Sequence, residues 1–182
     1  MTEKVPHIAV FSLAYEPFLG GAEIALREII QRLPHFKFTV FTLKFDSRWP
    51  AEEHSPNVRI IRLGSGFRNR NYYGHTLLKL WYAVRAWRRA VRVHRQKPFS
   101  SAWAMMASYG GLSALLFKLT ERRLPLLLTL QEGDSETHIL NKVGIFYPLW
   151  RLIFLRADYI QVISKYLGEF AARHGARCPI EV

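Results

Sequence analysis

The chain has 182 residues, 49% of them hydrophobic, which fits one domain with its own core and excludes a disordered chain. Its 26 Lys and Arg against 14 Asp and Glu give a net charge of +12, which either serves solubility alone or indicates an anionic partner such as nucleic acid, a membrane or a phosphorylated substrate. The single cysteine, Cys178, excludes an internal disulfide framework, fits a reducing compartment and, with scattered histidines, argues against structural zinc.

The first half of the chain predicts strands alternating with a helix. The apolar run HIAVFSL is typical of a buried strand, and AEIALREIIQRL repeats apolar residues at helical spacing and stops before Pro34. Two further strands are predicted at 36–43 and 58–63, separated by a polar loop with Pro50 and Pro56. The segment GSGFRNRNYYG that follows is a loop by composition.

The second half continues the alternation. It predicts a helix over 75–96, a strand over 100–108, a helix over 110–123, a strand over 125–132, a helix over 142–157, a strand over 158–164, a helix over 165–175 and a strand beginning near 178. Apolar strands separated by helices indicate a single Rossmann-like, doubly wound α/β domain with a mainly parallel sheet. Ligands of such sheets bind beyond the carboxyl ends of the strands, which directs attention to the loop after the first strand, to SYGG and to QEGDSETH.

The sequence predicts neither a signal peptide nor a transmembrane helix. The early apolar run IAVFSLAY lacks the length and the cleavage site of a signal peptide. No apolar run reaches the roughly 20 residues that span a bilayer. The best candidate, GIFYPLWRLIFL, contains Pro148 and Arg151 and is interpreted as a buried or interfacial helix.

A glycine pair separates the first strand from the first helix. Gly20 and Gly21 can adopt positive φ and expose amide groups, and the dipole of the following helix favours an anion there. The segment is neither a GxGxxG fingerprint nor a P-loop. From the residues alone, the pair is equally a structural turn or a ligand-binding loop.

The segment GGAE at this position, together with RADYIQVISKYLGEF and the order of the elements, resembles the N-terminal domain of the family-four retaining glycosyltransferases, which have the GT-B fold. The resemblance implies that residues 1–182 are the acceptor-side half of that fold and that the C-terminal donor domain is absent. It also implies that Gly20, Gly21 and Glu23 face the donor's diphosphate, and that the nucleotide-sugar is a co-substrate bound mainly by the absent domain. No cofactor or metal ion is expected.

The segment after the predicted strand 125–132 departs from the family pattern. Many relatives have His-Gly or His-Asp there, whereas this chain has Glu132 and Asp134. Either carboxylate is a candidate for orienting an acceptor hydroxyl or removing its proton. Asp134 is equally a helix N-cap.

Four other residues are candidates for the acceptor cleft because they follow or flank the ends of predicted strands. They are Ser108, Tyr109, His138 and Ser164. His138 is alternatively a surface histidine, and Ser164 is alternatively the N-cap of the helix that begins at KYLGEF.

The predicted helix 75–96 carries two stripes on a helical wheel. The apolar stripe consists of Leu77, Leu80, Trp81, Val84, Trp87 and Val91. The adjoining basic stripe consists of Arg85, Arg88, Arg89, Arg92 and Arg95, without an interleaved acidic residue. Like charges at this spacing repel, so we expect an anion to offset the cost.

Arginine beside tryptophan at an apolar edge favours an anionic membrane surface. The face would comprise Trp81, Trp87 and the basic stripe, extended by Arg68, Arg70, Tyr72 and Tyr73. Nucleic acid is not favoured, because no nucleic-acid-binding motif is found. Phosphorylated acceptors would use the same arginines.

These expectations combine into one function and one alternative. The chain is interpreted as the acceptor-binding half of a nucleotide-sugar-dependent glycosyltransferase, inactive as a single domain, and placed in the cytoplasm on the inner face of the membrane. Its acceptor would be lipid-linked or phosphorylated. The donor half would come from a longer chain or a separate subunit, and self-association is a third arrangement. The alternative is a non-catalytic module that binds anionic membranes or phosphorylated polymers through the basic helix.

Overall fold

The computed structural model describes residues 5–18, 20–66 and 76–182, except for the side chain of Thr76. The predicted extension of the membrane face over Arg68, Arg70, Tyr72 and Tyr73 lies outside the described residues, as does His75 at the start of the predicted basic helix.

The described residues form one eight-stranded sheet with helices on both faces. The strands are β1 (His7–Phe11), β2 (Lys37–Leu43), β3 (Glu52–His54), β4 (Val58–Leu63), β5 (Ser101–Met105), β6 (Leu126–Leu130), β7 (Tyr159–Val162) and β8 (Ile180–Glu181). The helices are α1 (Gly21–Arg32), α2 (Thr76–Gln96), α3 (Tyr109–Thr120), α4 (Glu136–Val143), α5 (Tyr147–Arg156) and α6 (Lys165–Arg173), with a short 3₁₀ helix, Gly144–Phe146, between α4 and α5.

The strand order is β3-β4-β2-β1-β5-β6-β7-β8, and all neighbouring pairs are parallel except β3 with β4. The chain leaves β1 for β2 on one side and returns to β5 on the other, so the order reverses at β1. This is the doubly wound α/β arrangement that the sequence predicts, and the fold class is confirmed. The carboxyl ends of β1 and β5 lie side by side at the reversal, where ligands bind in folds of this kind.

Alternation along the central strand builds two cores. On β1, Ala9 and Phe11 face one core, whereas Val10 faces the other. The first core lies beneath α2, α3, α5 and α6, and the second lies beneath α1. A sheet covered on both faces explains why these strands read as nearly continuous apolar runs.

Two elements differ from the prediction. β3 was expected to be loop because its sequence, EEH, has no apolar alternation; backbone pairing with the edge of β4 is enough to make it a strand. The helix predicted over 142–157 is interrupted at Gly144, which has φ +49° and ends α4. Pro148 then lies in the first turn of α5, where its missing N–H costs little.

The apolar stripe predicted for α2 is wrong, because the buried face is rotated from it by part of a turn about the helix axis. The buried positions are Tyr82, Ala83, Ala86, Ala90 and Val93, which let α2 approach the sheet and α3 closely. The larger predicted residues lie at the flanks: Trp81 and Trp87 are half-buried, and Leu77 is 83% exposed. The helical-wheel prediction relied on the large apolar residues, and it therefore missed a buried face that consists mostly of alanine.

No helix within the described ranges is both long and apolar enough to cross a lipid bilayer.

Candidate functional site

A cleft of about 190 Å³ opens at the carboxyl edge of the sheet, where β1 and β5 end. Its wall is largely apolar, with polar groups contributed by Ser12, Glu23, Lys79 and Ser108. The apolar lining consists of Leu13, Ala14, Phe18, Ala22, Phe45, Met105 and Met106. Apolar walls with a few convergent polar groups are typical of small-molecule sites.

The loop between β1 and α1 forms one wall of the cleft, and Arg62 of β4 holds it in place. The Arg62 guanidinium donates to the carbonyl oxygens of Glu16 (2.7 Å) and Pro50 (3.3 Å). It also pairs with the Glu53 carboxylate at 2.8 Å, although the Arg62 residue is only 4% exposed. A buried arginine with each of these partners in place fixes the loop relative to the sheet.

The glycine pair has a different role from the positive φ that we expected. Gly20, which precedes α1, has φ −109° and ψ −177°, and Gly21 does not have a positive φ either. The Gly20 amide donates to Glu23 Oε2 at 2.9 Å. A Cβ atom at Gly20 would lie 2.5 Å from that oxygen, whereas one at Gly21 would meet nothing within 4 Å. A side chain at Gly20 would therefore displace the Glu23 carboxylate from the Gly20 amide, and Gly21 leaves the start of α1 open.

Charges of both signs meet at this edge. The first amides of α1 have no intrahelical acceptor, and the Glu23 carboxylate already complements the positive end of the helix dipole. Lys79, from the first turns of α2, lies over the Tyr109 ring at 5.7 Å. Burial, and then the charge of Lys142, hold the pKa of Lys79 below its usual value. The cleft can thus offer a carboxylate, an ammonium group and hydroxyl groups to a polar ligand.

Glu132, a predicted catalytic residue, does not line this cleft. Its Oε1 accepts a hydrogen bond from the Ala107 amide at 2.6 Å, and its buried Oε2 has no partner within the described part of the chain. The Ala107 carbonyl accepts from Trp150 Nε1 at 2.6 Å, and the preceding residue, Met106, has φ +65°. Glu132 therefore holds the turn that carries Met106 and Ser108 into the cleft wall.

Asp134 is not the helix N-cap that we considered. Ser135 takes that position, and its Oγ accepts from the His138 amide at 3.4 Å. The Asp134 carboxylate instead pairs with Lys142 (2.9 Å) and lies 3.7 Å from His138 Nε2. Asp134 and His138 are both exposed and lie outside the cleft lining, so the structure does not bring them together with Glu23 and Ser108.

The other predicted acceptor residues are divided between the cleft and helix capping. Ser108 is exposed and lines the cleft, and Tyr109 follows it at the start of α3, beneath Lys79. Ser164 caps α6, because its Oγ accepts from the Leu167 amide at 3.3 Å, as the capping alternative predicted.

The basic stripe of α2 is partly neutralised within the chain. Arg89 donates to the carboxylate of Glu52, which also binds Arg59 at 2.7 Å, so the anion expected for Arg89 comes from β3. Sequence reasoning could not find this partner because β3 itself was not predicted. The other four arginines are exposed and have no ion pair with any described residue: Arg85, Arg88, Arg92 and Arg95. Arg85 stacks on Trp81 at 4.3 Å.

Lys79 is the charged cleft residue that the sequence analysis did not predict. It is the lone charged residue of the segment TLLKLWYAV, and this isolation among apolar residues was the available signal. Lys79 lines the same cleft as Glu23 and Ser108 only because of how α2 packs against the sheet. Within the described ranges, no group of three or more His, Cys, Asp or Glu side chains could hold a metal ion.

Glu132→Leu is expected to destabilise the fold by about 1–3 kcal/mol, because it leaves the buried Ala107 amide unpaired. Glu132→Gln keeps an acceptor and should cost less. Burial raises the pKa of Glu132 above 4.5, so the folded state holds its proton more tightly than the unfolded state. This contribution to stability is complete below pH 4.5 and is lost as the pH rises through the raised pKa.

Urea unfolding followed from pH 4 upwards checks both points. The Gln variant should show a weaker fall in stability with rising pH than the wild type. An unchanged pH dependence, together with an intact Leu variant, would contradict the role of Glu132 as a buried holder of the turn.

Comparisons with known proteins identify the family and the fold of the chain. The model of the glycosyl transferase 4-like domain matches residues 20–182. Two structures of sucrose-phosphate synthase from Thermosynechococcus elongatus cover 97% of this chain, with TM-scores of 0.64 and 0.69 at 19% and 18% identity; the chain covers 86% of the first and 47% of the second.

A structure of α,α-trehalose-phosphate synthase (UDP-forming) from Burkholderia vietnamiensis has a TM-score of 0.56 at 12% identity, over 98% of this chain and 48% of that one. At these identities the structures show a shared fold. This chain therefore spans about half the length of two of these relatives. No curated protein sequence matches the chain. Because the family model covers nearly all of the sequence, the chain belongs to the glycosyl transferase 4-like domain family.

Proposed function

We propose that this chain is the acceptor-binding half of a nucleotide-sugar-dependent, retaining glycosyltransferase, and that it works with a donor-binding domain supplied in cis or in trans. The observation that carries this proposal is the cleft at the carboxyl ends of β1 and β5, with the open start of α1 at its rim. The family assignment makes sugar transfer the class of reaction. A chain that spans about half of two relatives supports the need for a second domain.

The cleft suits an acceptor with hydroxyl groups and an apolar part. The Glu23 carboxylate and the Ser108 hydroxyl can hydrogen-bond sugar hydroxyls, and Phe18 offers an apolar surface to a ring face or a lipid chain. Lys79 can bind a phosphate carried by the acceptor. Both relatives described above are named for phosphorylated sugar products, which is consistent with such an acceptor.

The start of α1 is the side that would meet the donor. The first amides of the helix and the space beside Gly21 suit the approach of a diphosphate. Since the Glu23 carboxylate already occupies the Gly20 amide, the diphosphate would be received by the amides that follow. The name of the trehalose-phosphate synthase includes the formation of UDP, which supports a nucleotide-sugar as the donor.

Exposed apolar side chains near the start of α2 and in the 3₁₀ helix support action at a membrane surface. Leu77, near the start of α2, is 83% exposed, and Ile145 of the 3₁₀ helix is 89% exposed. Lys142, one turn before Ile145, is close enough to Lys79 to lower its pKa. Apolar tips beside basic groups fit the interface of an anionic bilayer, and the exposed arginines of α2 would add to that attraction. We place the protein on the cytoplasmic face of the membrane.

A Gly21→Val change should reduce sugar transfer at least tenfold, because it fills the space at the start of α1 without disturbing the fold. The assay combines the full chain with a donor domain, labelled UDP-sugars and vesicles of extracted lipid, and measures label in lipid and in soluble products. Gly133→Val is the matched control, since a Cβ there also meets nothing within 4 Å and Gly133 lies outside the cleft lining. Equal activities of the two variants would contradict the proposed donor side.

A second candidate is a non-catalytic module that binds anionic membranes through α2, which the four exposed arginines favour. The same preparation distinguishes it. Sedimentation with anionic but not neutral vesicles, weakened by salt and by removing the charges of Arg88 and Arg92, supports a membrane face in either case. Vesicle binding without transfer from any UDP-sugar would favour the module over the enzyme.

A further inference from the structure

A second cleft lies at the opposite edge of the sheet, where the strands begin. It is lined by the amino ends of β1, β2 and β4 and by the last turn of α2. His7 begins β1 and Ser12 follows its end, so the two clefts are separated by about 16 Å of strand at 3.3 Å per residue. No described residue lines both clefts.

Three basic side chains from different elements converge on this second cleft. Lys37 begins β2, Arg59 lies on β4 and Lys97 follows α2. None of the described residues that line it is acidic. Arg59 is paired with Glu52, whereas Lys37 and Lys97 are exposed and form no ion pair with any described residue. Lys97 is explained by the free carbonyl groups at the end of α2, which favour a positive charge there. Lys37 and Arg59 lie on strands and have no such explanation.

A buried imidazole in this cleft is a second, independent observation that points to a polar ligand. His7 is 7% exposed, and its Nε2 is hydrogen-bonded to Thr39 Oγ1 at 2.9 Å. Its Nδ1 has no partner among the described residues, although His7 lines the cleft. Burial, followed by the positive charges of Lys97, Lys37 and Arg59, lowers the pKa of His7 to about 4. These positive charges act on the ring, and only that of Arg59 is offset by an ion pair with a described residue, Glu52.

We propose that this cleft is a second binding site, for a phosphoryl group, formed by Lys37, Arg59 and Lys97 with His7 at its base. The hydroxyl of Ser55 and the amide of Gln96, which also line it, can complete the hydrogen bonds of the phosphate oxygens. Lysine ammonium groups bind phosphate as point charges, and Arg59 adds a planar donor. Because the site lies at the far edge of the sheet, its ligand is distinct from the proposed acceptor and donor.

Calorimetric titration of the full chain with inorganic pyrophosphate tests the proposal, against sodium chloride at equal ionic strength. The double variant Lys37→Ala/Lys97→Ala should weaken binding at least tenfold. The matched control is Arg122→Ala/Arg123→Ala, which removes the same charge from exposed positions after α3 and should change the affinity less than twofold. The NMR signal of the His7 ring should shift on binding in the wild type and in the control.

Vesicles that contain phosphatidic acid form the second arm, because the phosphoryl group can be soluble or carried by a lipid. Lysine-dependent binding to pyrophosphate assigns a soluble ligand. Lysine-dependent binding to vesicles alone assigns a lipid headgroup. The proposal would be overturned if both double variants lose the same affinity. It would also be overturned if neither pyrophosphate nor the vesicles bind more than the sodium chloride control.

Discussion

Replacing Gly110 with alanine is expected to destabilise the protein by about 3 kcal/mol, a large effect for one added methyl group. A Cβ atom at this position would lie 2.7 Å from the carbonyl oxygen of Phe11 and 2.8 Å from that of Met105. Both atoms are backbone atoms at the ends of adjacent strands, so neither can swing away as a side chain could. Helix α3 would have to move off β1 and β5, and the wall of the first cleft would move with it.

Urea unfolding of Gly110→Ala measures this cost, and Gly168→Ala is its control. Gly168 lies within α6, where a Cβ would meet its nearest neighbours at 3.6 Å and 3.7 Å, which is ordinary contact. Alanine favours a helix interior over glycine by up to about 1 kcal/mol, so the control should be neutral or more stable. If the two variants unfold at the same urea concentration, α3 is not packed as closely on the strand ends as the structure has it.

Arg62→Met should have an effect of similar size, about 2–4 kcal/mol, because it removes the group that satisfies two carbonyl oxygens beneath the loop from β1 to α1. Methionine preserves most of the buried volume, so the loss reports the hydrogen bonds and the ion pair with Glu53 rather than a cavity. Since this loop is a wall of the first cleft, ligand binding there should weaken as well.

Arg48→Met is the matched control for Arg62. Arg48 pairs with Asp46 on the surface, and its side chain is 86% exposed. Exposed pairs contribute little to stability, so this variant should unfold at the wild-type urea concentration. The anchoring role would be contradicted if the Arg62 and Arg48 variants unfold at the same urea concentration and the loop from β1 to α1 stays protected from hydrogen exchange in the Arg62 variant.

Local patterns predicted the strands and helices well. The runs HIAVFSL, VRIIRL and PLLLTL contain β1, β4 and β6, because a strand buried on both faces must be apolar at nearly every residue. Glycine, proline and N-cap residues marked most of the ends, including Ser164 before α6. β3 was missed because its pairing partner, and not its own residues, makes it a strand.

The candidate site was predictable in its position and less so in its members. The rule for parallel sheets located the loops after β1 and β5, and two of the named residues, Glu23 and Ser108, line the cleft. Glu132 follows β6, in the third loop that the rule indicated, but its side chain turns to the Ala107 amide, a contact 25 residues distant in sequence. The spacing of residues along the chain does not predict the direction in which the Glu132 side chain points.

By itself, the sequence determined the order of the elements, the apolar strands, the family motif at the start of α1 and the excess of positive charge. Each is a property of neighbouring residues or of a sum over the chain. The tertiary structure alone decided which face of α2 is buried, that Glu52 neutralises Arg89, and that Lys79 reaches the first cleft while Lys37, Arg59 and Lys97 gather at the second. These facts depend on distances between residues far apart in the chain, which are set when the sheet orders its strands and the helices pack on it.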